Sequence, residues 1–210
     1  NNKTIKIYDT IDLEEKLPAQ YEKKGNEIQI VYLGNYIKGK GHDIALKAFE
    51  LAFRTNQQLV LTFIGGDMGL DKNREFKSKL IDYVREHNLS NAVSFLPFEK
   101  DIEPVLKKAD IFLNCSESES FSMTCAEAAY YGIPTIATKC GGPEEIIVDG
   151  ETGFLVENRN VSEIADAIVK LAASFELRKK FSHRARLLAR EKFSAEKFKS
   201  FITACLNDDI

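Results

Sequence analysis

The stretch from Ala109 to Val148, ADIFLNCSESESFSMTCAEAAYYGIPTIATKCGGPEEIIV, leaves the chain few ways to fold. Residues 110–114 (DIFLN) are a short apolar run bounded by polar residues, the pattern of a buried strand. A serine-rich loop follows, in which Ser120 or Ser122 is placed to cap a helix over residues 123–131. Gly132 and Pro134 stop that helix, residues 133–137 give the next buried strand, and Gly141-Gly142-Pro143 turn the chain. Strand, loop, helix and strand in that order make one unit of a parallel sheet, because parallel neighbours need a crossover between them.

The rest of the chain repeats the unit. Further strands are expected at residues 27–33, 59–64, 92–96 and 154–156, and helices at 42–55, 72–87, 102–108, 161–173, 176–191 and 194–207. Ile44, Ala48, Leu51, Ala52 and Thr55 share one face of the first helix, and Phe76, Leu80, Tyr83 and Val84 point inward from the second. Asn160 or Ser162 can cap the helix at 161–173. The alternation predicts an α/β fold, a Rossmann-like doubly wound parallel sheet of about six strands with extra helices at the C-terminal end. Residues 1–26, with an extended piece at 4–8, read as a linker into a domain at 27–210, and the polar opening NNKTIKIYDT reads as the interior of a longer protein.

Two carboxylates sit on this frame. Glu119 lies in the loop before the helix and Glu127 lies inside it, with seven residues between them. A helix start offers unsatisfied N–H groups and a positive dipole end, so an anion is welcome there. Carboxylates beside that anion site suit a ligand carrying both phosphate and hydroxyls, which describes a sugar nucleotide. The plainer reading makes both glutamates solvated helix residues, with Glu119 favouring the dipole. Their position at the carboxyl end of a buried strand supports the ligand, since open α/β sheets bind there.

The loop after the first strand, Gly34-Asn35-Tyr36-Ile37-Lys38-Gly39-Lys40-Gly41, matches Gly-x4-Gly-Lys between a strand and a helix. That is a P-loop pattern, except that Gly41 stands where a Ser or Thr hydroxyl should hold magnesium. A second reading of this loop comes from a resemblance.

ESFSMTCAEAAYYGIPTIAT followed by GGPEEIIVDGETGFLV resembles the carboxy-terminal domain of retaining GT-B glycosyltransferases of the family 4 type. That family shows Glu-x-Phe-Gly-x4-Glu-Ala, then Gly-x-Pro-x-Ile-Ala, then Gly-Gly-x-x-Glu. The resemblance runs over residues 27–205 and implies one half of a GT-B fold. It implies transfer of a sugar from a nucleoside diphosphate to a saccharide or glycolipid acceptor, with retention at the anomeric carbon. By the same resemblance Glu119 holds the transferred sugar at the reaction centre, the catalytic position, and Glu127 binds the ribose hydroxyls. Phe121, Ser122 and Met123 lend backbone N–H groups, and Phe98 packs on the nucleotide base or else joins the core. In the family a Gly-Arg and then a Lys-Gly follow the first strand. Here Gly34-Asn35 and Lys40-Gly41 stand in those places, so Lys40 meets a phosphate while Asn35 can only hydrogen-bond, and Lys38 is a substitute for the absent arginine. Ser122 sets a side chain beside the diphosphate where the family has glycine. No cofactor and no metal are implied beyond the sugar-nucleotide substrate. An amino-terminal domain across a closing cleft is implied as partner, so this chain alone is expected to bind donor with little or no turnover. A GT-B fold used as an epimerase or a binding module would bind donor without transferring its sugar.

Composition narrows the rest. With 44% apolar and 29% charged residues the chain reads as soluble and globular, and its net charge of −3 argues against a nucleic-acid partner. The sequence has no run of 18 apolar residues, so nothing in it reads as a membrane span. Cys115, Cys125, Cys140 and Cys205 form no Cys-x-x-Cys pair and read as reduced thiols of a cytoplasmic protein. His42, His87 and His183 read as surface residues, unless His42 borders the site. The basic segment 176–191 either is solvated or touches an anionic membrane at its inner face. Phe193, Phe198 and Phe201 are expected to be partly unpartnered without the other domain.

Overall fold

The computed structural model describes residues 25–206; the extended piece expected at 4–8 and the linker up to residue 24 lie outside the described residues. Six strands form one sheet: β1 (Ile28–Leu33), β2 (Leu59–Ile64), β3 (Val93–Leu96), β4 (Ile111–Asn114), β5 (Thr135–Thr138) and β6 (Gly153–Val156). Their order is β3-β2-β1-β4-β5-β6 and every neighbouring pair is parallel. The chain therefore winds outward from β1 to β3, returns across β1 to β4, and winds out the other way. The winding reverses between β1 and β4, where Ile30 lies beside Ile111 and Val31 beside Phe112.

Eight helices are described: α1 (His42–Thr55), α2 (Asp71–Glu86), α3 (Glu103–Leu106), α4 (Met123–Tyr130), α5 (Pro143–Ile146), α6 (Val161–Ala173), α7 (Phe175–Phe193) and α8 (Ala195–Leu206). The first layer, α1, α2 and α6, covers the face to which β1 sends Ile28, Ile30 and Tyr32 and β4 sends Ile111 and Leu113. The second, α3, α4 and α5, covers the face of Val31, Leu33 and Phe112. Both faces are covered, which is why these strands read as nearly continuous apolar runs. α7 sends Phe181 into the first cluster and Ala185, Ala189 and Phe193 into the second.

Three expectations are corrected here. The buried stripe of α1 is Ile44, Ala45, Ala48, Phe49 and Ala52, while Leu51 is 37% exposed and Thr55 is exposed. Ile44, Ala48 and Ala52 are common to both stripes, and Ala45 and Phe49 take the places expected of Leu51 and Thr55. Gly141-Gly142 turns the chain as expected, but Pro143 then opens the short helix α5, a use of proline at the first helical position. Phe193 is wholly buried against Phe121, their rings edge-on at 5.5 Å. Phe198 is exposed, as expected, and the side chain of Phe201 lies outside the described residues.

The caps follow local chemistry. Asn160 Oδ1 accepts from the Glu163 N–H at 3.2 Å at the start of α6. Arg178, 2% exposed, turns inward and donates from Nη1 to the Leu171 and Ala172 carbonyls at 2.6 and 2.9 Å, closing the other end of α6. Arg184 pairs with Glu151 at 3.1 Å, and Arg186 packs over Gly132. Of the cations of α7, Arg178 is buried and Arg186 half-buried, Arg184 is in a surface ion pair, and Lys179, Lys180, Arg190 and Lys192 are exposed. Among the described residues no helix is long and apolar enough to cross a membrane.

Candidate functional site

Beside the point where the winding reverses, the carboxyl edge of the sheet carries a cleft lined from the ends of β1 and β2, the segment after β3 and the start of α4, the usual ligand position in this architecture. The first loop, after β1, is tied down on the β2 side. Gly34 N–H donates to the Ile64 carbonyl at 3.0 Å, Tyr36 N–H to the Gly66 carbonyl at 2.9 Å, and Asn35 Oδ1 accepts from the Gly66 N–H at 3.0 Å. Asn35 therefore lines the cleft, but its carbonyl oxygen is already taken. Residues Lys38–Lys40 form a 3-10 turn, and Gly41 then takes φ 74° to open α1. A Cβ on Gly41 would fall 1.9 Å from the Cys115 carbonyl oxygen, so the two loops touch through that glycine. No Ser or Thr hydroxyl fits there, which removes the magnesium ligand a P-loop needs. Tyr32 joins the loops from beneath: its hydroxyl donates to the Lys40 carbonyl and accepts from the Cys115 N–H at 3.2 Å.

His42 is buried, not a surface residue. Its ring sits among Tyr32, Tyr36 and Phe63, with centroids at 4.8, 5.0 and 5.6 Å, because the left-handed turn at Gly41 aims the first residue of α1 inward. Burial pushes its pKa down to about 4, so the ring is neutral at pH 7. Nε2 lies 3.2 Å from the Gly34 carbonyl oxygen and must carry the proton, since that oxygen only accepts. Nδ1 is buried without a partner among the described residues. His87 and His183 are exposed, as expected.

The second loop is held by polar bonds. Asn114 Nδ2 donates to Ser122 Oγ at 3.1 Å and its Oδ1 accepts from the Ser116 N–H at 3.0 Å. The Glu119 N–H donates to the Cys140 carbonyl at 3.0 Å, and its carbonyl accepts from the Gly142 N–H at 2.7 Å. A Cβ on Gly142 would lie 2.2 Å from the Phe121 carbonyl carbon. The double glycine is thus what lets the turn after β5 press against the Glu119 loop. Ser122 has φ 75° and ψ 73°, a left-handed conformation that costs a non-glycine residue about 1 kcal/mol. Its buried hydroxyl faces Asn114 and does not cap the helix. With no side-chain cap, the first-turn N–H groups of Met123 and Thr124 lack intrahelical acceptors and suit an anion.

The two glutamates differ in state. Glu119 Oε1 lies 2.7 Å from Lys40 Nζ and accepts from Ser116 Oγ at 2.8 Å. Glu127 faces a cleft of about 320 Å³ lined also by Gly34, Asn35, Phe98, Lys100 and Thr124. It is half-buried, no hydrogen bond or ion pair engages its carboxylate among the described residues, and burial raises its pKa. Phe98 is 66% exposed at the mouth of this cleft and does not join the core. Met123 is 39% exposed and Phe121 is half-buried.

The fold thus gathers Gly34, Asn35, Lys40, Phe98, Glu119, Phe121, Ser122, Met123 and Glu127 around one sheet edge. Lys38 is not in this cleft. It lines a groove of about 530 Å³ between α1 and α2, with Lys47, Lys72 and Lys79. Thr124 and Lys100 line the cleft and were not singled out from sequence; the first helical turn was the available signal for Thr124. Among the described residues no group of three or more His, Cys, Asp or Glu side chains could hold a metal ion. Cys115 and Cys125 are buried free thiols, Cys140 is a half-buried one, and the side chain of Cys205 lies outside the described residues.

Comparison with known proteins agrees with this geometry. The profile of the family "Glycosyl transferases group 1" matches residues 14–188. The chain is 27% identical over 196 residues to N-acetyl-alpha-D-glucosaminyl L-malate synthase of Bacillus anthracis, covering 93% of this chain and 49% of that protein. Among solved structures, HepE of Anabaena in complex with UDP and glucose superposes with a TM-score of 0.79 at 23% identity, over 87% of this chain and 48% of that one. The C-terminal domain of the group 1 family protein LpcC from Francisella tularensis superposes with a TM-score of 0.73 at 27% identity, over 80% of this chain and 87% of that one. The chain spans about half the length of the curated relatives it matches. It folds as the Rossmann-like half of a GT-B enzyme and belongs to the glycosyl transferases group 1 family.

Proposed function

We propose that this chain is the donor-binding half of a retaining hexosyltransferase. It takes a nucleoside diphosphate sugar and passes the sugar to a saccharide or glycolipid acceptor. The observation that carries the reading is the half-buried carboxylate of Glu127, without a partner among the described residues, near the uncapped start of α4 and in one cleft with exposed Phe98. A buried carboxylate without a donor is costly, and ribose hydroxyls supply donors. Phe98 offers a face to the base. Lys40 and the N–H groups of Met123 and Thr124 meet the diphosphate and stabilise the charge that grows on it as the glycosidic bond breaks. They do so without a metal. Phe121 and Ser122 shape the peptide path at that helix start, and Asn35 hydrogen-bonds through its remaining amide protons. Glu119 holds the transferred sugar. UDP is the first nucleotide to test, because HepE was solved with it. The acceptor site would come from the length of the relatives that this chain does not match. We place the work in the cytoplasm, with the exposed cations of α7 as the surface for any contact with an anionic membrane face.

The test is calorimetric titration of the chain with UDP, GDP and ADP in metal-free buffer. Binding of one nucleoside diphosphate, weakened by Glu127→Ala, supports the reading. Binding of none overturns it. Sugar transfer by the 210-residue chain alone would overturn the assignment to a half-site.

A further inference from the structure

In the unliganded site the lysine meant for the diphosphate is already occupied. Lys40 Nζ sits 2.7 Å from Glu119 Oε1, the same oxygen that accepts from Ser116 Oγ at 2.8 Å. The pair is partly shielded, with side chains 32% and 14% exposed. The backbone leaves Glu119 little room to retreat, since its N–H is bound to Cys140 and its carbonyl to Gly142. The lysine's own backbone is also fixed, through the Tyr32 hydroxyl. Glu119 and an incoming phosphate therefore compete for one cation across a rigid gap.

We infer that Glu119 makes the site discriminate between the intact donor and the spent nucleoside diphosphate; this rests on the donor reading above. When an intact donor binds, Lys40 passes from Glu119 to the diphosphate. The released carboxylate then finds hydroxyl donors on the sugar, so little is lost in the exchange. A nucleoside diphosphate without its sugar brings a terminal phosphate with an extra negative charge and no hydroxyls. Glu119 then faces that charge at close range with its lysine gone, and its return to Lys40 expels the nucleotide. The carboxylate that holds the sugar before transfer thereby drives release of the product afterwards. Ser116 keeps one hydrogen bond to the carboxylate in both states, which fixes where it waits.

The experiment measures affinity for UDP and for UDP-glucose, with the GDP and GDP-mannose pair and the ADP and ADP-glucose pair run in parallel. It uses wild type, Glu119→Gln and Glu127→Ala, with thermal melting to verify folding. Glu119→Gln should bind the nucleoside diphosphate about fivefold tighter, the factor expected from releasing a part-exposed ion pair, and should gain nothing for the intact donor. Glu119→Ala, a second route to the same loss of charge, should shift the ratio of the two affinities in the same direction. An unchanged ratio, or weaker binding of the diphosphate in both variants, overturns the inference. If wild type binds no nucleoside diphosphate, or Glu127→Ala binds it as well as wild type, the donor reading itself has failed and the inference falls with it.

Discussion

Glu119 and Glu127 stand at opposite ends of one short loop-and-helix segment, yet their surroundings are opposed. At the Lys40 corner, one carboxylate oxygen of Glu119 is engaged by both Lys40 and Ser116. In the neighbouring cleft, Glu127 has no partner among the described residues and its pKa is raised by burial. One region is satisfied and must exchange partners to bind; the other is unsatisfied and gains partners by binding. The contrast teaches that the corner should govern selectivity among anions, while the cleft should supply affinity. Cavity size alone would have misled, since the groove between α1 and α2 is larger, at about 530 Å³, but is lined by lysines and by Leu46, Phe76 and Leu80, which belong to the core packing of the two helices.

The comparison breaks most completely if the two loops lose contact. Gly41→Ser forces a Cβ to within 1.9 Å of the Cys115 carbonyl and strains a φ of 74°. We expect a loss above about 3 kcal/mol, read by denaturant unfolding, because both an overpacked contact and a left-handed backbone are penalised. A midpoint within error of wild type would show that the loops are not locked together.

The next effect is pH-dependent and comes from beneath the first loop. Folded His42 resists protonation down to about pH 4, whereas an unfolded histidine takes its proton below 6.5. The stabilisation is whole above pH 6.5 and is lost as pH falls toward 4, by about 3 kcal/mol in all. His42→Leu should remove that slope. An unchanged slope would mean the ring is not held neutral.

A smaller effect separates the corner from the groove between α1 and α2. Lys40→Ala should weaken nucleoside diphosphate binding by about tenfold and flatten its salt dependence, through loss of one charge-assisted contact. Lys38→Ala should do neither, because Lys38 lines the other groove. Equal losses for the two lysines would contradict the separation. The smallest effect is expected at Ser122→Gly, which relieves the left-handed strain but gives up the bond from Asn114 at 3.1 Å. Donor affinity should change by less than about twofold, since that hydroxyl faces Asn114. A large gain in affinity would show that the serine does crowd the diphosphate.

How much of this the sequence revealed depends on the range of the interaction. The strands were legible because each is an apolar run closed by polar or glycine residues, as in DIFLN before the serine loop. The glutamates and glycines were legible because their spacing along one segment carries the pattern. The Lys40–Glu119 pair was not, since its members are 79 residues apart and only the sheet order joins their loops. His42 read as a surface residue because nothing local reveals that Gly41 bends the helix start inward. Phe193 reads as partly unpartnered, yet it is buried, because α7 packs on α4 and brings it against Phe121. Lys38 and Lys40 are two residues apart, yet the 3-10 turn sends Lys38 to the groove between α1 and α2 and Lys40 to Glu119.

The central claim is that Glu127 holds the ribose hydroxyls of a nucleoside diphosphate. A double-mutant cycle tests it most directly, pairing wild type and Glu127→Ala with UDP and its 2′,3′-dideoxy analogue, or with GDP or ADP and their analogues if one of those is the base bound. Removing the carboxylate or removing the hydroxyls should each weaken binding by about thirtyfold, and removing both should cost little more than either alone. Independent, additive losses would mean that Glu127 and the ribose do not meet, and the account of the cleft would be wrong.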